Sequence, residues 1–134
     1  MTAADTEFIH SSMPFTRTLA IEVLVNRADE VRARLTWAAE LCTSGGLLHG
    51  GAIMALADST GALCAFNNLP HDASGTSTIE SKTNFLRAVR DGAVEATSRP
   101  LHVGRTVIVV ETDVTDADGR LVARVTQTQA VLKR

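Results

Sequence analysis

The residue types able to do chemistry together fall in one stretch, His49-Gly50-Gly51-Ala52-Ile53-Met54-Ala55-Leu56-Ala57-Asp58. The two glycines open a segment with the composition of a helix. At a helix N-terminus the first backbone N–H groups have no partner within the helix, and the dipole favours negative charge. Without Cβ atoms, a ligand oxygen approaches that backbone closely. Such a corner suits an oxyanion or a polarised carbonyl, although the same glycines also serve as a plain turn into the helix. Asp58 is the only charged residue between Gly50 and Phe66 (GGAIMALADSTGALCAF). A carboxylate in apolar surroundings costs free energy unless it is paired or hydrogen-bonded. It is therefore either a satisfied structural group, bonded to Ser59, Thr60 or another chain, or a reacting one. Eight residues separate Gly50 from Asp58, about 12 Å along a helix rising 1.5 Å per residue. The two cannot touch one reacting carbonyl from the same chain. If both act, Gly50 of one chain meets Asp58 of another, and the protein is at least a dimer.

These residues need elements to hold them. Leu19, Ile21, Val23 and Val25 alternate with Glu22 and Asn26; Val31, Ala33, Leu35 and Trp37 alternate with Arg32, Arg34 and Thr36. With the polar turn Arg27-Ala28-Asp29-Glu30 between them, the two runs predict a half-buried hairpin. Thr43-Ser44-Gly45-Gly46 reads as a loop. Residues 50–66 are too long for a strand and apolar on nearly all sides, which predicts one buried helix starting between His49 and Ala52 and ending before Asn67. Gly61 inside it costs about 1 kcal/mol against Ala, a sign of close packing. Residues 67–76 read as a loop. Segments 77–87, 93–101, 105–115 and 120–132 are extended and rich in Val and Thr. Asp91-Gly92 and Asp118-Gly119 are hairpin signals, and His102-Val103-Gly104 makes a third reversal, so these strands are expected to form an antiparallel meander. The order is ββαββββ, an α+β arrangement in which a helix apolar all round needs a sheet curved about it. The first 13 residues lack a clean period and are expected to pack loosely.

At 134 residues the chain is one domain, able to bury roughly 68% of its unfolded surface. Its hydrophobic content of 45% against 21% charged residues excludes general disorder. A net charge of −2 argues against a dedicated nucleic-acid binder. No apolar run approaches the roughly 18 residues of a membrane span. The N-terminus carries Asp5 and Glu7 and lacks the basic and apolar regions of a signal peptide; the cytoplasm is the expected location. Cys42 and Cys64 make neither a disulfide framework nor a zinc pattern and read as small buried side chains. No phosphate-cradling GxxxxGK loop and no GxSxG nucleophile motif is present. Neither a metal nor a cofactor is expected.

The segment Leu48-His49-Gly50-Gly51 leading to Leu56-Ala57-Asp58-Ser59 resembles that of the hotdog-fold thioesterases, specifically the PaaI-type group of phenylacetate-degradation and 4-hydroxybenzoyl-CoA thioesterases. Thr83-Asn84-Phe85-Leu86-Arg87-Ala88, Pro100-Leu101-His102-Val103-Gly104-Arg105 and Asp118-Gly119-Arg120-Leu121-Val122-Ala123 extend the resemblance, which runs from about residue 14 to the C-terminus. It implies a hotdog domain filling residues 1–134 and hydrolysis of an acyl-CoA thioester, CoA being part of the substrate. The Gly50 N–H and helix dipole would polarise the carbonyl, and Asp58 from the facing subunit would act as general base or nucleophile. His49 would either bind substrate or set the helix start. Thr78, or its neighbour Ser77, would hold the attacking water, as in members with Asp at this position; members with Glu instead place a hydroxyl where Ala62 stands. Gly51, Ser59 and Phe85 would border the substrate. Thr43 stands where many members carry Asn or Gln, so a shorter hydroxyl replaces an amide. Arg87 would meet CoA phosphates, assisted by Arg90 and Arg105. Ala52, Ala55 and Leu56 with Phe85 would line a pocket for an aryl or short- to medium-chain acyl group. The group implies a homotetramer whose minimal active unit is a dimer. Two other readings share the fold: an acyl-CoA-sensing module, which gains nothing from a charge such as Asp58 beside a thioester, and a hydratase or dehydratase, whose His and acid are arranged unlike His49 and Asp58.

Overall fold

The apolar run from Gly50 to Phe66 forms one helix with the expected bounds, and the rest of the chain is built to cover it. The computed structural model describes residues 2–134. In chain order the elements are α1 (Thr2–Ser12), α2 (Pro14–Thr18), β1 (Glu22–Asn26), β2 (Val31–Thr36), two 3₁₀ turns (Ala39–Leu41 and Ser44–Gly46), α3 (Gly50–Phe66), β3 (Ala73–Phe85), β4 (Ala93–Val103), β5 (Val107–Thr115) and β6 (Leu121–Lys133). From β1 onward the order is ββαββββ, and all neighbouring strands are antiparallel. Alternate residues of the strands (Val23, Ala33, Leu35, Val94, Ile108, Val110, Val125) form a core with Ile53, Leu56, Ala57, Leu63 and Cys64 of α3. Full burial of a side chain such as Leu35 contributes roughly 1.5–3 kcal/mol.

The sheet order is β1-β2-β4-β5-β6-β3. The expected four-strand meander is therefore corrected: β4, β5 and β6 form one, but β3 lies at the far edge and pairs with β6, from Ala73 opposite Lys133 to Phe85 opposite Ala123. Asp118-Gly119 closes a true hairpin, with Gly119 at φ +79° and the Asp116 carboxylate accepting the N–H groups of Asp118 (3.0 Å) and Arg120 (2.9 Å). Asp91-Gly92 ends a crossover from the edge to the middle of the sheet. Gly92 (φ +75°) still makes the turn, and its carbonyl accepts the Trp37 N–H. Asp-Gly chemistry specifies that the chain reverses, not which strand it joins. β3 begins at Ala73 rather than residue 77, because pairing with the end of β6 extends it over the polar Ser74-Gly75-Thr76.

The N-terminal segment also departs from expectation. Residues 2–12 form helix α1, tied down by one buried apolar residue, Ile9, and by polar contacts. Thr6 Oγ1 accepts the Val23 N–H at 2.9 Å, Asn26 Nδ2 donates to Asp5 at 3.0 Å, and His10 Nε2 lies 2.8 Å from the Ile21 carbonyl. Anchoring of this kind leaves no hydrophobic period to read.

Candidate active site

His49 has extended backbone (φ −64°, ψ 133°) and caps α3, its ring Nδ1 accepting the Gly51 N–H at 2.7 Å. Nδ1 is thus the unprotonated nitrogen of the neutral ring. The cap removes the Gly51 N–H from service and leaves the Gly50 N–H as the donor without a partner among the described residues. The Phe85 ring lies over Gly50: a Cβ there would sit 3.1 Å from Phe85 Cζ. Thr43, Gly50, Ile53, Phe85 and Arg87 line a cleft of about 370 Å³. Four of the residues singled out in the sequence are therefore brought together here. An oxygen placed at Gly50 would meet a free N–H at the positive end of a 17-residue helix.

Asp58 is half-buried one face further along α3. Its Oδ1 accepts two hydrogen bonds, from Thr78 Oγ1 at 3.1 Å and from Gln127 Nε2 at 3.0 Å. Oδ2 accepts none among the described residues. Gln129 Nε2 donates in turn to Thr78 Oγ1 at 2.8 Å, so the threonine proton is directed at Asp58 rather than left free for a water. Asp58 shares a shallow groove of about 350 Å³ with Gly51, Met54, Ala55 and Ser81. Gly50 and Asp58 thus open into different clefts of one chain, as their helical spacing requires.

The other sequence-derived residues scatter. Ser59 lines neither cleft, and Ser77 is exposed. Leu56 is fully buried in the core and cannot border a substrate, which corrects that part of the expected acyl pocket. Ala62 instead borders an apolar recess of about 440 Å³ with Phe8, Met13, Leu63 and Phe66. Arg87 and Arg90 line a polar cleft of about 420 Å³ beside the Gly50 cleft, together with Arg120. Arg120 is paired with Asp116 (2.9 Å) and Asp118 (3.3 Å), whereas Arg87 and Arg90 have no acidic partner among the described residues. The Arg120 N–H, with that of Asp118, holds the Asp116 carboxyl below the usual range. Arg105 lies in the β4–β5 turn, where its charge helps Lys133 lower the Asp72 carboxyl; this is the opposite end of β3 from Arg87.

Two residues of the Asp58 network escape a reading of the sequence: Gln127 and Gln129, 0% and 1% exposed. Their signal is positional. They alternate in step with Val125 and Val131 on the face of β6 that meets the helix, so two amides occupy core positions. Among the described residues no three His, Cys, Asp or Glu side chains cluster as a metal site would require. No helix among them is long and apolar enough to cross a membrane.

Residues 45–123 match a family model described as the thioesterase superfamily. The Bacillus subtilis (strain 168) protein ComA2, which is named as an esterase, is 34% identical over 87% of this chain and 92% of its own length. The 1,4-dihydroxy-2-naphthoyl-CoA hydrolase of Escherichia coli (strain K12) is 33% identical over 65% of this chain and 63% of its own. Among solved structures, a thioesterase from Haemophilus influenzae superposes with a TM-score of 0.90 at 25% identity, covering 99% of this chain and 91% of that one.

Proposed function

The chain belongs to the thioesterase superfamily, and from that premise we propose that it hydrolyses aryl- or short- to medium-chain acyl-CoA thioesters at a site shared by two copies, with Asp58 as the reacting carboxylate. The observation that carries the reading is the state of that carboxylate. Thr78 and Gln127 hold Oδ1, and Oδ2 is left to react. The similarity to a hydrolase named for an aryl-CoA substrate supports the substrate class.

The Gly50 N–H receives the thioester carbonyl oxygen at the start of α3, where the dipole and an N–H not engaged by the described residues stabilise the oxyanion that develops. Thr43, on the rim of the same cleft, offers one hydroxyl donor. Oδ2 of Asp58 from the second copy removes a proton from water as it adds to the carbonyl carbon. Alternatively it adds itself, forming an anhydride that water then cleaves. Collapse of the tetrahedral species breaks the C–S bond and releases CoA thiolate, which takes up a proton, and the carboxylic acid. His49 keeps the helix start in place through the Gly51 N–H. Arg87 and Arg90, cations without acidic partners among the described residues, receive the CoA phosphates. The long edge strand β3, with Ile79 63% exposed, is the surface through which two copies pair, and two such dimers make the tetramer.

Thiol release followed over a panel of acyl-CoAs (phenylacetyl, hydroxybenzoyl, and short, medium and long chains) tests the reading. Asp58→Asn keeps the size of the side chain and removes the base. Its kcat is expected to fall by about 10²–10⁴ with the fold intact. A fully active Asp58→Asn protein, or a wild type inert toward the whole panel, would overturn it.

A further inference from the structure

We propose that Gln127 and Gln129 of β6 are positioning residues for Asp58, and that position 61 is glycine in order to admit the Gln127 amide. The proposal rests on Asp58 being the reacting carboxylate and goes beyond it, because it says which oxygen reacts and what aims it.

The geometry allows little else. A carboxylate on a helix rotates about its last side-chain bond, and its two oxygens are equivalent until something distinguishes them. Here both donors converge on Oδ1 from different strands, Thr78 from β3 and Gln127 from β6. That fixes the carboxylate plane and defines Oδ2 as the unshared atom. Thr78 alone would be a weak guide, since a hydroxyl rotates to suit any acceptor. The Gln129 amide donates to Thr78 Oγ1, occupying the acceptor side and turning the proton toward Asp58. The carboxylate is thus gripped once directly and once through a relay.

Packing does not explain these residues. On the same face of β6, Val125 and Val131 fill core positions without a polar group. The Gln127 Oε1 is buried with no hydrogen-bond donor, an arrangement folded proteins seldom keep without compensation. It follows from holding Nε2 on Asp58, because a flipped amide would set its oxygen against the carboxylate. Gly61 stands one helical turn beyond Asp58. A Cβ there would overlap the Gln127 amide, lying 2.7 Å from Cδ and 3.3 Å from Nε2. The glycine in mid-helix is what lets a glutamine side chain lie flat against α3 and reach its neighbour.

The test uses full-length protein and two kinds of readout. Gln127→Met keeps the length of the side chain and removes the donor. Its kcat is expected to fall about 10- to 100-fold with KM nearly unchanged, the scale of losing alignment at the reacting group. In the Asp58→Asn background the same substitution is expected to cost nothing further in residual rate, because a residue acting through Asp58 has nothing left to act on. The second readout needs no catalysis and no altered glutamine. In ¹⁵N-labelled protein the side-chain amide resonance of Gln127 is expected to move on Asp58→Asn substitution. A wild-type kcat in Gln127→Met, a loss that multiplies with that of Asp58→Asn, or an amide resonance unmoved by Asp58→Asn would each overturn the proposal. A wild type without turnover, whose Gln127 resonance nevertheless moves with Asp58→Asn, would overturn the reaction and uphold the grip on the carboxylate.

Discussion

Replacing Gly61 by alanine sets two effects of opposite sign against each other, and the structure says which prevails. In an exposed helix interior the change would stabilise by about 1 kcal/mol. Here the new Cβ would meet the end of Gln127, 2.7 Å from its Cδ, and Gln127 is completely buried. The amide has to move, and its bond to the Asp58 carboxylate goes with it. A hydrogen bond to a charged group is worth about 1.5–3 kcal/mol, so the net result is a loss of roughly 0.5–2 kcal/mol. At ~4 °C per kcal/mol for a chain of this length, Tm falls by about 2–8 °C. Gln127→Ala opens the space into which the Cβ would project. In that background Gly61→Ala is expected to raise stability by up to about 1 kcal/mol. The thermodynamic cycle then has a coupling of about 1.5–3 kcal/mol. Urea unfolding of the four proteins, followed by circular dichroism, measures it directly. An equal cost of Gly61→Ala with and without Gln127 would refute the reasoning, since the penalty would then arise from something other than the amide.

Three further outcomes are expected. Gly50→Pro removes the N–H at the start of α3 that has no partner among the described residues, and His49 already has the extended backbone that a residue before proline needs; the variant is expected to lose turnover while remaining folded. Co-expressed with Asp58→Asn it should recover about a quarter of wild-type turnover, because half the dimers are mixed and each mixed dimer holds one intact site; no recovery in mixed dimers would refute a shared site. Burial pushes the Cys64 thiol up to about 11, so an aromatic disulfide reagent at pH 8 should titrate at most Cys42 in the native protein and both thiols after denaturation; two thiols reacting alike in the native state would contradict it. The Asp116 carboxyl is held below its ordinary value chiefly by the Arg120 N–H, so it contributes stability above about pH 4, where an unfolded aspartate is ionised, and that contribution is lost as pH falls further. Melting curves should therefore show Asp116→Asn less stable than wild type at pH 7, with the difference closing below pH 4.

What the sequence made legible, and what it hid, divides along a physical line. Helix α3 could be placed, its start within His49–Ala52 and its end before Asn67, because its run is apolar on nearly all sides and begins at a pair of glycines. Asp58 stood out because a charge in that run demands a reason. The separation of Gly50 from Asp58 followed from helical rise alone. The place of β3 was not readable: Asp91-Gly92 announces a reversal, and its local chemistry is the same whether the next strand is a neighbour or lies across the sheet. Only pairing with β6, 38 or more residues away in sequence, decides that. Helix α1 was missed because Thr6, Asp5 and His10 anchor it where a hydrophobic stripe would have been visible. Gln127 and Gln129 were hidden most thoroughly. Thr126-Gln127-Thr128-Gln129 is polar on both faces of the strand and carries no apolar alternation to mark an inner face, yet two of its residues are core. Hydrophobic pattern reports burial only when what is buried is apolar. A buried amide is invisible until the carboxylate it serves is placed above it, by a helix some 69 residues earlier. The positions where the pattern fails are therefore the ones to inspect for function, and here the failure on β6 and the glycine inside α3 have one cause, the need to hold a single carboxylate oxygen still.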